Sequence, residues 1–234
     1  LEGNVDITKM SFYAYAHASH HYLLLDSGSA LGHNNGPLVV SRRKIYPDEL
    51  KDALIAIPGK YTTANLLFSI FWPDAQRRKE YLFSDIPEAV LSGEADAGLI
   101  IHETRFTYIS MGLQKVADTG EYWDRLTGMP IPLGGIVVHR QVDEETALRV
   151  NRTIRRSLEY AYYDRAASID FIRKNAREID VTVMNDHIDL YVNRYSLSMG
   201  PDGREAVNKL FTVAGEKKII PEIPPRIFLI SQGL

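Results

Sequence analysis

Short apolar runs of strand length, bounded by turn residues, alternate with segments of helical spacing through the first half of the chain. Residues 38–40 follow a turn-rich stretch, residues 52–57 lead through a Pro-Gly-containing loop into a helical pattern, and residues 97–101 are almost continuously apolar. A run like 97–101 is expected of a strand that is covered on both faces. The alternation predicts an α/β fold whose strands are mostly parallel.

The last third of the chain has helical spacing instead. Asp143 and the two glutamates after it begin a helix with acids where the helix dipole favours them, and apolar residues then recur at steps of three and four. Residues 169–176, 181–192 and 204–214 predict three more helices. The proline-rich stretch 221–225 cannot continue a helix, so we predict an extended packing segment there.

Two turn-rich segments precede strands of similar character. Residues 32–37 come before the strand 38–41, and Gly134-Gly135 come before the strand 136–140. We interpret these strands as crossovers between two lobes, in which an inner lobe, 40–135, is inserted into an outer lobe made of 1–39 and 136–234. Such an arrangement predicts a cleft between the lobes, where small ligands tend to bind.

Composition excludes several classes of function. The 234 residues, 45% hydrophobic and 24% charged, are typical of a globular protein with a sizeable core. A formal net charge of −3 gives no basic excess for binding nucleic acid or an anionic membrane, and no apolar run reaches the roughly 18 residues of a membrane helix. The absence of cysteine excludes disulfides, thiolate metal sites and cysteine nucleophiles. We therefore expect a small-molecule partner, no nucleic acid and no membrane insertion.

The first candidate site is the predicted helix start at Thr62-Thr63-Ala64. The first turn of a helix has N–H groups without intrahelical acceptors and the positive end of the dipole, and threonine hydroxyls add donors. This pattern suits a carboxylate or a phosphate. It lacks the glycine- and lysine-containing pattern of a nucleotide P-loop, and the alternative is a threonine that only caps the helix.

The second candidate is His102, which follows the buried run 97–101. In open α/β sheets, ligands bind beyond the carboxyl ends of the strands. A neutral imidazole, with an ordinary pKa of about 6.5, can abstract a proton near pH 7. The alternative is a histidine that ends the strand or pairs with Glu103. The spacing of His17 and His20 could mimic a metal pair, but no third ligand is evident, and we predict no metal site.

The third candidate is the segment Lys9-Met10-Ser11 with Tyr13 and Tyr15 after it. Ser11 could donate a hydrogen bond to an anion, and the two aromatic rings could form the wall of a ligand pocket. The alternative is an ordinary amphipathic surface helix.

Three ordered strings resemble the 1,4-dihydroxy-6-naphthoate synthase family. The first is Gly-Ser-Ala-Leu-Gly at 28–32 with Gly-Pro-Leu-Val-Val at 36–40. The second is Ala-Gly-Leu-Ile-Ile-His-Glu at 97–103 with Arg-Phe-Thr-Tyr at 105–108, and the third is Thr-Gly-Met-Pro-Ile-Pro-Leu-Gly-Gly at 127–135. The resemblance runs from residue 1 to about residue 214, and three ordered strings are more specific than any single motif.

The resemblance implies a two-lobed fold like that of type II periplasmic binding proteins, here with a helical C-terminal portion. It implies a cytoplasmic lyase of the futalosine route to menaquinone. This enzyme cleaves cyclic dehypoxanthine futalosine to the dihydroxynaphthoate and a sugar-derived product without metal or organic cofactor. The family's general base corresponds to His102. Its ligand-binding residues correspond to Lys9, Met10 and Ser11 and to Thr63 and Ala64.

The family also has an upstream strand and a Pro-Asn-Asp-containing loop, and we expect that segment to be missing from this sequence. Two other functions remain open at this point. One is a solute-binding protein for a small carboxylate, because a fold does not fix a function. The other is the sister enzyme of the pathway, chorismate dehydratase, although the Ile-Ile-His-Glu string favours the synthase.

Overall fold

The structure is a computed structural model that describes residues 2–175 and 180–229. It forms two compact units. The first unit comprises Leu1–Gly32, Pro132–Thr212 and Ile220–Leu234, and the second comprises His33–Ile131 and Val213–Ile219. The chain thus changes unit at 32/33, 131/132, 212/213 and 219/220. The first two changes lie ahead of the predicted crossover strands 38–41 and 136–140. The assignment of an inner lobe at 40–135 within an outer lobe, with a ligand cleft, stays a prediction.

Nine strands and ten α-helices are present in the described residues. The strands are β1 (Ile7–Ser11), β2 (Tyr22–Leu24), β3 (Ala30–Gly32), β4 (Leu38–Ser41), β5 (Ile55–Ile57), β6 (Arg78–Glu80), β7 (Ala97–Ile100), β8 (Gln114–Asp118) and β9 (Ile131–His139). The helices are α1 (Phe12–Ala18), α2 (Thr63–Phe71), α3 (Ile86–Ser92), α4 (Thr104–Thr107), α5 (Thr119–Thr127), α6 (Glu144–Tyr163), α7 (Ala166–Asn175), α8 (Val181–Tyr191), α9 (Arg194–Leu197) and α10 (Gly200–Glu216). Ala176, at the end of one predicted helix, lies outside the described residues.

The sheet of the first unit is built on β9. Strands β1 and β2 flank β9 and run antiparallel to it, and β3 also pairs with β9. Beside this sheet, the rings of Phe12 and Tyr15 pack on Phe211 of α10 with centroid distances of 6.2 and 5.9 Å. The extended tail adds to β2, since the Leu24 N–H donates to the Ile227 carbonyl and the Leu229 N–H donates to that of Leu24, each at 2.8 Å. Residues 221–225 contain no helix, as predicted, but they are mostly exposed, and the residues that pack on β2 lie after them.

Gly134 and Gly135 lie inside β9, not in a turn before it, so the sequence prediction was wrong there. Gly134 pairs with Ser11 of β1, and a Cβ atom on Gly134 would meet the Met10 carbonyl oxygen at 2.7 Å. A glycine pair can mark close backbone approach as well as a turn. At Gly134, the close approach of the β1 backbone is the reason that glycine is required.

The sheet of the second unit has the strand order β6-β5-β7-β4-β8. β5 is parallel to β6 and to β7, whereas β4 is antiparallel to β7 and to β8. The prediction of mostly parallel strands was therefore wrong. Strand β4 is buried at every position. A strand buried on both faces has the same continuously apolar sequence whether it runs parallel or antiparallel to its neighbours, so the sequence did not reveal its direction. The sheet core includes Val39, Ile55 and Leu99, packed with Phe68 of α2.

Local signals set several helix ends, including the start predicted at Asp143. Asp143 caps α6 by accepting a hydrogen bond from the Thr146 N–H at 2.9 Å, a contact that lowers the pKa of Asp143. Gly93 ends α3 in the left-handed conformation, with φ of 84°. Within residues 2–175 and 180–229, no helix is long and apolar enough to cross a membrane.

Candidate active site

Four chain segments converge on one edge of the second unit's sheet. Strands β5 and β7 are parallel neighbours, with Ile55 opposite Ala97, so the chain leaves both strands at the same edge. Leu38, the first residue of β4, pairs with Ile100 at the end of β7 and with Asp118 at the end of β8. We call this the carboxyl edge. The sequences that meet there are the loop before α2, the turn after β7, the loop before β4 and the start of α5.

His102 lies at the carboxyl edge, two residues beyond the end of β7. Its φ of 55° places it in the left-handed region, one of three non-glycine residues of the described chain with positive φ. Such a conformation costs on the order of 1–3 kcal/mol and persists only where the surrounding structure imposes it. The side chain is exposed, and the ring meets that of Phe83 edge-on at a centroid distance of 5.2 Å. The imidazole is therefore presented at the surface of this unit.

The turn that carries His102 is fixed by Arg105. The Arg105 N–H donates to the His102 carbonyl at 3.2 Å. The mostly buried guanidinium donates to Asp118 Oδ2 at 2.7 Å, to the Asn34 carbonyl at 2.8 Å and to the Gly36 carbonyl. Asp118 also accepts from the Gly120 N–H at 2.8 Å and thereby caps α5. Arg105 therefore ties the His102 turn to the loop before β4 and to the start of α5.

The start of α2 separates the capping residue from the candidate binding residues. Thr62 is the N-cap, since its Oγ1 accepts from the Asn65 N–H at 3.3 Å and donates to the Gly59 carbonyl at 2.8 Å. Thr63 and Ala64 are the first two helical residues, and both are buried. Arg78 of β6 donates to Asn65 Oδ1 at 2.9 Å and holds the first turn from outside. The alternative of a threonine that only caps the helix therefore describes Thr62 and not Thr63.

Lys9, Met10 and Ser11 belong to the first unit. Lys9 and Met10 lie in β1 opposite Ile136 and Gly135, and Ser11 ends the strand. Ser11 is also the N-cap of α1, where its Oγ accepts from the Ala14 N–H at 3.0 Å. Part of the Lys9 side chain is exposed, yet protein atoms surround enough of it that burial lowers its pKa. The candidates are thus divided, with Thr63, Ala64 and His102 in the second unit and these three in the first.

The aromatic residues after Ser11 lie on the buried side of α1, so the alternative of an ordinary surface helix does not describe this segment. Tyr13 and Tyr15 are both buried, and the Tyr15 hydroxyl donates to the carbonyls of Tyr22 and Ile227 at 3.2 and 3.0 Å. Burial also raises the pKa of Tyr15 well above its ordinary value, so it stays a protonated hydrogen-bond donor. Among the described residues, no group of three or more histidine or acidic side chains could hold a metal ion.

Sequence reasoning missed three residues at the carboxyl edge, namely Asn35, Arg105 and Asp118. The Asn-Gly-Pro sequence at 35–37 was interpreted only as a turn, and Arg105 entered only as part of a string. Arg105 and the carbonyls it binds are 69 and 71 residues apart in sequence. Local sequence patterns do not predict contacts between residues so far apart. The available hint was that an arginine, Arg105, follows the candidate base His102 by three residues.

These features define an α/β protein whose candidate chemistry lies beyond the carboxyl ends of buried strands. The model of the menaquinone biosynthesis family matches residues 1–216, and the chain belongs to that family. It is 38% identical over 229 residues to 1,4-dihydroxy-6-naphthoate synthase of Thermus thermophilus, covering 98% of this chain and 83% of that protein.

Solved structures show the same fold. Protein AF1704 from Archaeoglobus fulgidus matches with a TM-score of 0.86 and 33% identity, over 93% of this chain and 81% of that one. The periplasmic aliphatic sulphonate binding protein SsuA from Escherichia coli matches with a TM-score of 0.62 and 14% identity, over 99% and 79% of the two chains. The expectation of a fold like that of periplasmic binding proteins is confirmed.

Proposed function

We propose that this protein is an enzyme of menaquinone biosynthesis that converts cyclic dehypoxanthine futalosine to 1,4-dihydroxy-6-naphthoate. The family match and the 38% identity to a protein of that name support this activity. The structural observation that carries the proposal is His102, held in the left-handed region at the carboxyl edge. The fold alone would also suit a solute-binding protein, but the similarity to SsuA, at 14% identity, concerns the fold only.

We assign the role of general base to His102. The base removes a proton from the cyclic substrate, and the electron pair of that bond forms a double bond of the ring system. The sugar-derived part leaves with the electron pair of the broken carbon–carbon bond and takes up the proton held by the imidazolium. Formation of an aromatic product supplies driving force, so one positioned base is sufficient for this carbon–carbon lyase reaction. A neutral histidine is suited to proton abstraction near pH 7.

The remaining assignments concern binding of the substrate carboxylate. We assign it to the Thr63 hydroxyl and the first-turn N–H groups at Thr63 and Ala64, because a helix start favours an anion. Lys9, Met10 and Ser11 form the second binding segment, in which Lys9 brings a positive charge and Ser11 a hydroxyl donor. None of these roles calls for a metal or an organic cofactor.

The test is to incubate the purified protein with cyclic dehypoxanthine futalosine and to detect 1,4-dihydroxy-6-naphthoate by mass spectrometry. Chorismate in a parallel reaction tests for the dehydratase. Product from the first reaction alone supports the proposal. Tight binding of a small carboxylate without turnover would identify a solute-binding protein, and turnover of chorismate alone would identify the dehydratase. The cytoplasmic location stays a prediction, which cell fractionation with a specific antibody would check.

A further inference from the structure

Asn35, in the second unit, has a polar side chain that is almost completely buried. It is 1% exposed, and within residues 2–175 and 180–229 neither its Nδ2 nor its Oδ1 has a hydrogen-bond partner. A buried amide normally meets protein or ordered water, because removing its polar atoms from water without compensation costs free energy. A buried amide without a partner therefore calls for a specific explanation.

The backbone on either side of Asn35 is held in place. Arg105 binds the carbonyls of Asn34 and Gly36, which flank it. Asn34 is itself left-handed, with φ of 59°. Gly36 lies against α5 so closely that a Cβ atom on it would be 2.4 Å from the Gly120 nitrogen. The backbone of the loop that carries Asn35 is therefore fixed by the Arg105–Asp118 ion pair.

Asn35 also belongs to the carboxyl edge. It precedes Leu38 by three residues, and Leu38 pairs with Ile100, two residues before His102. The same guanidinium that fixes the His102 turn thus fixes the loop that carries Asn35. A substrate that reaches His102 meets this edge of the sheet.

We propose that the Asn35 amide binds a hydroxyl group of the substrate and so contributes to substrate specificity. A carboxamide offers an acceptor oxygen and two N–H donors, and a substrate hydroxyl can donate to the oxygen and accept from an N–H group. The neutral Asn35 amide thus binds a different group of the substrate from the carboxylate, which is assigned to Thr63 and Ala64. This inference rests on the proposed function, since it assigns a further contact to the same substrate.

The test is Asn35→Leu, an apolar replacement of similar shape, measured for substrate affinity and for thermal unfolding without substrate. Replacing an unpartnered buried amide by an apolar group removes a cost in the free protein, so the unfolding temperature stays equal or rises. Loss of two hydrogen bonds to the substrate weakens affinity by about ten- to a hundredfold. Ser29→Ala is the matched control, because Ser29 Oγ in the first unit is also buried without a partner in the described residues. It should leave affinity unchanged.

Wild-type affinity in Asn35→Leu overturns the inference, whether the protein becomes more or less stable. If the leucine variant does not fold, Asn35→Ala is measured in the same way. A second measurement uses substrate analogues that each lack one hydroxyl. One of them should lose affinity for the wild type but bind the Asn35 variant as the substrate does, and equal losses for every analogue overturn the inference. Failure of the proposed function is separate, because wild-type protein would then form no dihydroxynaphthoate.

Discussion

The two units carry their candidate residues in different ways. In the second unit, His102 and Thr63 lie beyond the ends of strands, on segments whose shape is set by other residues, Arg105 and Thr62. In the first unit, Lys9 lies inside β1, and Ser11 is itself the cap of α1. We infer that substitutions of His102 and Thr63 change function with little change in stability. In the first unit we expect the same atoms to serve both the fold and the substrate.

The largest effect is expected for His102→Asn. Loss of a general base lowers turnover by about 10²–10⁴-fold, while substrate affinity and folding are retained. Asparagine is among the residues that tolerate the left-handed backbone found at this position, so the turn is preserved. Steady-state kinetics with isothermal calorimetry measure the two quantities, and the pH profile of turnover should flatten in the variant.

The matched control is His20→Asn, at an exposed position of the first unit, which should behave like the wild type. Near wild-type turnover of His102→Asn would show that another group is the base. Lower stability without loss of turnover would break the contrast between the two units.

The start of α2 offers the next test, with two adjacent threonines. Thr63→Val removes the hydroxyl assigned to the carboxylate and should weaken binding by about 1.5–3 kcal/mol, roughly ten- to a hundredfold. Thr62→Val removes the cap and should lower stability by about 1 kcal/mol while affinity changes little. Calorimetry and chemical unfolding separate the two outcomes. If Thr63→Val binds as the wild type does, Thr63 is not part of the site.

Local sequence signals predicted the parts of the site that local structure creates. The strand end before His102 and the helix start at Thr63 follow from an apolar run, a glycine-containing loop and a capping hydroxyl. Strand direction and the carboxyl-edge contacts of Arg105 depend on residues distant in sequence. The spacing of apolar residues therefore predicts neither the strand direction nor the Arg105 contacts. The same limit explains Gly134, whose close approach to Met10 is visible only once β1 and β9 pair.

Lys9 gives a pH-dependent test in the first unit. Burial lowers its pKa, so the ammonium is lost at a lower pH than for an exposed lysine. We expect affinity for the carboxylate substrate to fall by about tenfold as pH rises through that titration, the lower end of what a charge-assisted hydrogen bond supplies. Lys9→Arg stays charged and should not show this fall. An affinity that falls equally in both proteins would exclude Lys9 as the cause.

Protein stability should move in the opposite direction over the same pH range. Because the folded-state pKa of Lys9 lies below the unfolded-state value, the unfolded chain binds more protons between the two values, and stability rises with pH there. Comparison with Lys9→Met isolates this contribution, since the variant lacks the titrating group. Opposite signs for affinity and stability are expected of a binding lysine whose pKa the fold lowers. A lysine with an unshifted pKa would show no such rise in stability.

The smallest effect on substrate affinity is expected at Ser11. This residue also gives the sharpest test of the difference between the two units. A hydroxyl has acceptor lone pairs and one donor hydrogen, so Ser11 Oγ can accept from the Ala14 N–H while donating to the substrate. Ser11→Ala should therefore lower stability by about 1 kcal/mol, a shift of about 2–4 °C in Tm, and also weaken affinity by about two- to tenfold. Ser11→Asp separates the two roles, because aspartate caps a helix as well as serine does but repels a carboxylate. It should keep the Tm of the wild type and bind substrate more weakly than Ser11→Ala. If Ser11→Asp binds substrate normally, Ser11 serves only the fold, and the first unit does not combine the two roles at this residue.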